Sequence, residues 1–221
     1  MRIEPELWYP QEYARASALL DLLRHPVAQY ASMSAQQKDE LRQSQMEENE
    51  VLRVLGYYQE HALVMKSDQV LGWLERDAIL LDARLKGFHE PLSAQISAAE
   101  FFKSWQGTAY LWGGVTRLGI DCSGLTQRFF LDVQGRRIPK NTYEQRRAGM
   151  SKTYAQMSNH DLIFCTRIGG RGIHHVGIHV DGEIWHAHGE RGVIRQALSE
   201  FITQYQILQV VDLSGQACCS A

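Results

Sequence analysis

The sequence predicts an α+β fold: a helix carrying a cysteine packed on an antiparallel sheet carrying histidines, preceded by a small all-β barrel. Three observations predict it. In C-S-G-L-T-Q-R-F-F-L-D-V, residues 122–133, Leu125, Phe129 and Val133 recur at four-residue steps, the spacing of an amphipathic helix that starts near Cys122. The runs H-H-V-G-I-H-V and E-I-W-H-A-H flank Asp181-Gly182, a pair suited to the positive φ angles of a two-residue hairpin turn. Earlier in the chain, Val54, Tyr57-Tyr58 and the Ala62–Met65 run are β-favouring and closely spaced, as in a small antiparallel barrel.

Taken in order, residues 17–85 hold the short apolar runs A-L-L-D-L-L, V-L-R-V-L-G-Y-Y, H-A-L-V-M-K and V-L-G-W-L. The polar stretch 34–49 has helix formers but little amphipathic order, so its pattern fits a helix or a long loop. Residues 81–92 read as a connector closed by Pro91. In I-S-A-A-E-F-F-K-S-W, Ser97 caps a helix and Glu100, three residues on, completes a capping box. V-I-R-Q-A and Q-I-L-Q-V-V-D-L supply further strands. The expected organisation is a first domain over 1–85, a linker over 86–94, a second domain over 95–215 and a tail over 216–221.

A chain of 221 residues can bury one large or two small cores, and 44% hydrophobic with 22% charged residues is the composition of an ordinary soluble protein. The formal charge is −2, with Lys and Arg scattered rather than striped, so no nucleic-acid partner is expected. No stretch approaches the ~20 apolar residues of a membrane span, so no membrane partner is expected either. The opening M-R-I-E-P-E-L-W-Y-P lacks the apolar run of a signal peptide, which sets the expectation of a cytoplasmic protein. Cys122, Cys165, Cys218 and Cys219 lack the density of a disulfide framework, as suits a reducing compartment. Cys218-Cys219 fall in S-G-Q-A-C-C-S-A, a poor match to a prenylation signal and the expected disordered tail.

Why does Cys122 follow an Asp, precede Ser-Gly and lie behind Gly113-Gly114? A thiol attacks a carbonyl as thiolate, and its ordinary pKa of ~8.5 can fall to ~3.5–7.5 at a helix N-terminus beside a histidine. Cys122 meets the first condition if the helix starts there. Gly113 and Gly114 permit close backbone approach, and Gly124 permits tight packing behind the sulfur. Alternation along the strand places Val176, Ile178 and Val180 on an apolar face with His174, and His175, Gly177 and His179 on the other. Gly177 leaves room beside His175, which is therefore the expected base. His186, four residues past the turn, can orient it, and His188 on the same face is an alternative that pattern alone leaves open. Six of nine histidines lie between 160 and 188, yet no C-x-x-C or H-E-x-x-H spacing occurs, so neither metal nor cofactor is expected.

Y-L-W-G-G, D-C-S-G-L, I-P-K-N-T-Y-E-Q, D-L-I-F, H-V-G-I-H and W-H-A, co-linear over most of residues 95–213, together resemble the NlpC-type family of papain-like cysteine peptidases. The resemblance implies a papain-like domain with Cys122 as nucleophile, His175 as base and His186 as orienter. It also implies an oxyanion site at Tyr110 and the Cys122 N–H, and substrate contacts at Trp112, Asp121, Ser123, Asn141 and Thr142. The implied partner is a small murein peptide, cut between γ-D-glutamate and a diamino acid such as meso-diaminopimelate through an acyl-enzyme. A related amidase or acyltransferase on another acyl substrate, or a non-catalytic muropeptide binder, are the competing readings.

D-L-L-R-H-P, L-R-Q-S-Q-M-E-E-N-E-V-L-R-V-L and G-W-L-E-R-D-A resemble a divergent bacterial SH3-like domain. Relatives use that domain to wall off one end of the groove and select a free L-Ala amine. Three departures from the peptidase pattern, at four positions, stand out. Lys140-Asn141 replaces Arg-Asp, His160 replaces a glycine before Asp161-Leu162, and His179 replaces a tyrosine. The missing aspartate puts the amine preference in question, with Glu47, Glu48 or Glu50 as possible sources of charge and a solvated loop as the expectation for them.

Overall fold

The computed structural model describes residues 12–88 and 95–215, which form two compact units. Pro91 and the Cys218-Cys219 tail lie outside the described residues.

The first unit is built on one antiparallel sheet of seven strands. In chain order these are β1 (Glu12–Ala16), β2 (Leu20–Leu23), β3 (Arg42–Met46), β4 (Val51–Tyr58), β5 (His61–Lys66), β6 (Leu71–Glu75) and β7 (Ile79–Leu81), with α1 (Ala35–Leu41) between β2 and β3. Their order across the sheet is β3-β2-β6-β5-β4-β1-β7, and among the described residues no ladder joins β3 to β7. Leu22, Met46, Leu52, Val54, Val64 and Leu74 form its core.

The stretch 34–49 resolves into both helix and strand. Ser34 and Gln37 form a reciprocal capping box that starts α1. The strand after it is R-Q-S-Q-M, whose Arg42, Ser44 and Gln45 are buried, so polar content hid it from hydrophobic pattern. Arg42 is held by Asp21 at 2.8 Å and Asp39 at 2.6 Å, which makes its burial tolerable. Glu50 is likewise no solvated loop residue. Its carboxylate lies 3.2 Å from the buried Lys66 ammonium and accepts the Glu47 N–H at 2.9 Å. Glu47 and Glu48 are exposed.

In the second unit, α2 (Ala98–Trp105) starts at the Ser97–Glu100 capping box. A small ladder of β8 (Val115–Thr116) and β9 (Gly119–Ile120) leads into α3 (Cys122–Gln134), followed by the short α4 (Thr142–Gln145). Six strands form the sheet: β10 (Met150–Lys152), β11 (Leu162–Arg167), β12 (His175–Val180), β13 (Glu183–His188), β14 (Gly192–Ala197) and β15 (Tyr205–Asp212), with α5 (Leu198–Phe201) before the last. Their order is β10-β15-β11-β12-β13-β14, so the final strand is inserted inside the sheet.

The β12–β13 hairpin turns on Asp181 (φ 50) and Gly182 (φ 80), both left-handed as a type I′ turn requires. Strand alternation then gives the sheet two different faces. Leu162, Phe164, Val176, Ile178, Trp185 and Ala187 face α2 and α3 in the main core, against Phe101, Phe102, Leu125 and Phe129. Ile163, Cys165, Ile184, Phe201, Tyr205 and Val210 build a second cluster. Each fully buried large apolar side chain is worth about 1.5–3 kcal/mol, so these clusters fix where α3 begins relative to β12.

Candidate active site

The position of Cys122 follows from the residue before it. Asp121 caps α3, accepting the Gly124 N–H at 2.5 Å, the Gly113 N–H at 2.9 Å and the Ser123 hydroxyl at 2.9 Å. The buried Lys140 ammonium completes the set, donating to both carboxylate oxygens at 3.0 and 2.8 Å and to Ser123 Oγ at 3.1 Å. Asp121 and Ser123 are each 6% exposed, as Cys122 itself is, and they form the platform on which Cys122 stands. Lys140 stands where relatives have arginine, and its role became visible only with these contacts. A side chain at Gly124 would place its Cβ 2.3 Å from the Gly114 carbonyl, which explains the glycines on both segments.

The backbone N–H groups of Val176 and Ser123 bear on the Cys122 sulfur, which places it against the start of β12, whose first residue is His175. Burial nevertheless pushes the thiol up to about 11, with the Asp121 charge adding to burial and the two N–H groups and Lys140 opposing it. With that shift the resting thiol is neutral near pH 7. The sequence led to the expectation of a lowered thiol at the helix start, and burial of the sulfur acts in the opposite direction.

His175 Nε2 lies 2.9 Å from His186 Nδ1, and His186 Nε2 lies 2.8 Å from Gln196 Oε1. Gln196 Nε2 in turn donates to Glu200 at 2.8 Å. This chain assigns every proton. A carboxylate only accepts, so the Gln196 amide NH₂ faces Glu200 and its oxygen accepts from His186 Nε2–H. His186 Nδ1 is then a lone pair, and it accepts from His175 Nε2–H. The lone pair of His175 is thereby confined to Nδ1, which is free to take the thiol proton. Burial, with neighbouring positive charge adding to it, lowers His175 to about 3 and His186 to about 4, the Gln196 hydrogen bond partly opposing at His186, so both rings are neutral at pH 7.

Aromatic rings hold the pair. His175 stacks on Tyr205 with centroids 5.3 Å apart at 19°, and His186 meets Phe201 edge-on at 5.3 Å. Gly177 leaves room for the adjacent strand rather than for the base, since a Cβ there would come within 2.6 Å of Ile184 Cγ2. His188 is not the orienter. Its Nδ1 accepts the N–H groups of Glu190 and Arg191 at 3.2 and 3.3 Å. A cavity of about 380 Å³ opens on His175 and is also lined by Tyr110, which puts that phenol at the site.

Residues 107–212 match the NlpC/P60 family model. The "Probable endopeptidase" of Haemophilus influenzae is 36% identical over 111 residues, covering 50% of this chain and 69% of that relative. The chain belongs to the NlpC/P60 family. Its second unit is accordingly a cysteine peptidase domain. The "Murein DD-endopeptidase MepS/Murein LD-carboxypeptidase" of Escherichia coli is 38% identical over 100 residues, and this chain spans about half of it (45% of this chain, 52% of that one). The "Gamma-D-glutamyl-L-lysine dipeptidyl-peptidase" of Bacillus subtilis is 40% identical over 77 residues, covering 34% of this chain and 26% of that one.

Within the NlpC/P60 domain, each departure has a local account. His160 sits at φ 72, in the left-handed region that favours glycine, and its ring packs edge-on against Phe129 at 5.0 Å. His179 donates from Nδ1 to the Ser158 carbonyl at 3.0 Å and accepts the Gly182 N–H at 3.3 Å, fastening the hairpin turn. His174 does not share the apolar face: it precedes β12, is exposed, and bonds the Arg171 carbonyl. Asn141 is exposed and donates to Glu144 at 3.1 Å, while Thr142 is half-buried at the start of α4 and Trp112 is 49% exposed. Gln196 and Glu200 are the functional residues that pattern reasoning missed.

Proposed function

We propose that the second unit hydrolyses cell-wall-derived peptides at the bond between γ-D-glutamate and a diamino acid, such as that of L-Ala-γ-D-Glu-meso-diaminopimelate. The observation that carries a hydrolytic reading is the Glu200–Gln196–His186–His175 chain, which leaves His175 Nδ1 as the one basic nitrogen of the base. The Bacillus subtilis relative's description supports the γ-D-glutamyl bond. The Escherichia coli relative's description favours a second reading, cleavage of D,D cross-links or removal of a terminal residue.

In the proposed reaction, Cys122 attacks the γ-glutamyl carbonyl as its S–H proton passes to His175 Nδ1. The oxyanion is met by the Cys122 N–H and the Tyr110 hydroxyl. The proton then moves from His175 to the leaving amine, giving a thioester and a free diamino acid. Water, deprotonated by His175, attacks the thioester, and the thiol is restored as the acid departs. His186 supports the transient imidazolium without taking its proton, as an orienting group does.

The first unit is, on this reading, a divergent bacterial SH3-like module, supported by its single sheet of short antiparallel strands. Glu50 is committed to Lys66 and supplies no charge for a substrate amine. Mass spectrometry of products from L-Ala-γ-D-Glu-meso-diaminopimelate, free and N-acetylated, tests the proposal alongside a D-Ala–diaminopimelate cross-linked peptide. Cleavage of either γ-glutamyl peptide supports it, and cleavage of the free form alone adds amine selection. Cleavage of the cross-linked peptide alone replaces it with the second reading.

A further inference from the structure

The cavity that His175 and Tyr110 line contains one permanent charge, Arg167, at the end of β11. No Asp or Glu lines that cavity. Among the described residues no carboxylate pairs with the Arg167 guanidinium, and the side chain is exposed toward solvent. Its charge bears on the groups around the cavity, disfavouring protonation of His175 and of His188 and favouring ionisation of Tyr205. A second cation, Arg191, bears on His186, His188 and Tyr205 from the β13–β14 turn, partly offset at His188 by Glu190. An unpaired guanidinium at the mouth of a carboxylate-free cavity is built to accept a planar anion in two parallel hydrogen bonds.

The chemistry of the substrate supplies that anion. An ordinary peptide bond consumes the α-carboxyl of its acyl residue. A γ-glutamyl bond consumes the side-chain carboxyl and leaves the α-carboxylate free, three carbons from the scissile carbonyl. We propose that Arg167 binds this free α-carboxylate and so reads the γ-linkage itself. This rests on the peptidase reading above and names the feature by which that site tells a γ-glutamyl peptide from an α-linked one.

The test is calorimetric binding to Cys122→Ala, which cannot turn over, and to Cys122→Ala/Arg167→Gln. The ligands are L-Ala-γ-D-Glu-meso-diaminopimelate, its form with the glutamyl α-carboxylate amidated, and its form amidated at the diamino acid instead. With Arg167 present, the acid is expected to bind about ten- to hundredfold tighter than the glutamyl amide, the range of a charged hydrogen-bond pair. Arg167→Gln should erase that ratio and leave affinity for the glutamyl amide within about twofold. An unchanged ratio, equal weakening of all three ligands, or discrimination confined to the diamino-acid amide would each overturn the assignment. Binding through Arg167 by a protein whose Cys122 form cleaves none of these peptides would uphold the carboxylate site and sink the peptidase reading.

Discussion

His175 Nε2 and His186 Nδ1, 2.9 Å apart, are two ring nitrogens of which only one carries a proton, and Gln196 decides which. Removing the orienter should therefore cost rate rather than affinity. His186→Ala is expected to lower kcat by about 10²–10⁴-fold with KM changed by less than about threefold. Glu200→Gln, which frees the Gln196 amide to turn over, should lower kcat by a smaller factor, about tenfold. Cys122→Ala should abolish turnover with an unchanged melting temperature. Wild-type rates in His186→Ala would show that the contact does not direct the base.

Burial holds His175 near 3 and His186 near 4, below the ordinary 6.5 of histidine. Between those values and 6.5 the unfolded chain binds more protons than the folded one. The stability of the neutral pair is thus complete above pH 6.5 and is lost as pH falls toward 4. The melting temperature should drop across that interval, and by less in His186→Gln.

The thiol carries the opposite sign. With Cys122 pushed up to about 11, its alkylation by iodoacetamide should climb steadily from pH 6.5 to beyond 9, without a plateau. Over the same range kcat/KM should stay flat, because the proton leaves the sulfur during attack. A plateau in the alkylation rate near neutral pH would establish a standing thiolate and refute the neutral pair.

Lys140 and Asp121 are 2% and 6% exposed, and neither charge has water to fall back on. Lys140→Met should destabilise the second unit by about 3–5 kcal/mol in denaturant titration, since it strands a buried carboxylate. Adding Asp121→Asn should recover part of that loss, whereas Lys140→Arg should cost under about 1.5 kcal/mol. A loss below about 1 kcal/mol for Lys140→Met would mean that Asp121 is hydrated.

At Gly124 the limit is steric. A Cβ would sit 2.3 Å from the Gly114 carbonyl oxygen, so Gly124→Ala must push the start of α3 away from its neighbour. The expected loss is about 1–3 kcal/mol of stability, with at least about tenfold in kcat/KM because the sulfur moves with the helix. Unchanged kinetics would show that the two segments separate without disturbing Cys122.

Local rules were readable in the sequence because their determinants lie within a few residues. The Ser97–Glu100 box, the helix start at Cys122 and the Asp181-Gly182 turn are each set by neighbours in the chain. What escaped depends on pairing across the chain. Gln196 lies opposite Ile184, on the face that carries His186, only once the β13–β14 register is fixed. The strand over Arg42–Met46 is polar because Asp21, from another strand, neutralises its arginine. Choosing between His186 and His188 likewise needed coordinates, since both share a face and only one meets His175. The thiol's direction needed burial, which no motif encodes.

The last strand of the second unit is threaded between β10 and β11, and it delivers Tyr205, the ring on which His175 lies. Nucleophile, base and orienter therefore all precede in the chain the strand that supports them. A second unit cut short before Tyr205 should keep its thiol and its paired histidines yet lose the ring beneath His175, and turnover with it.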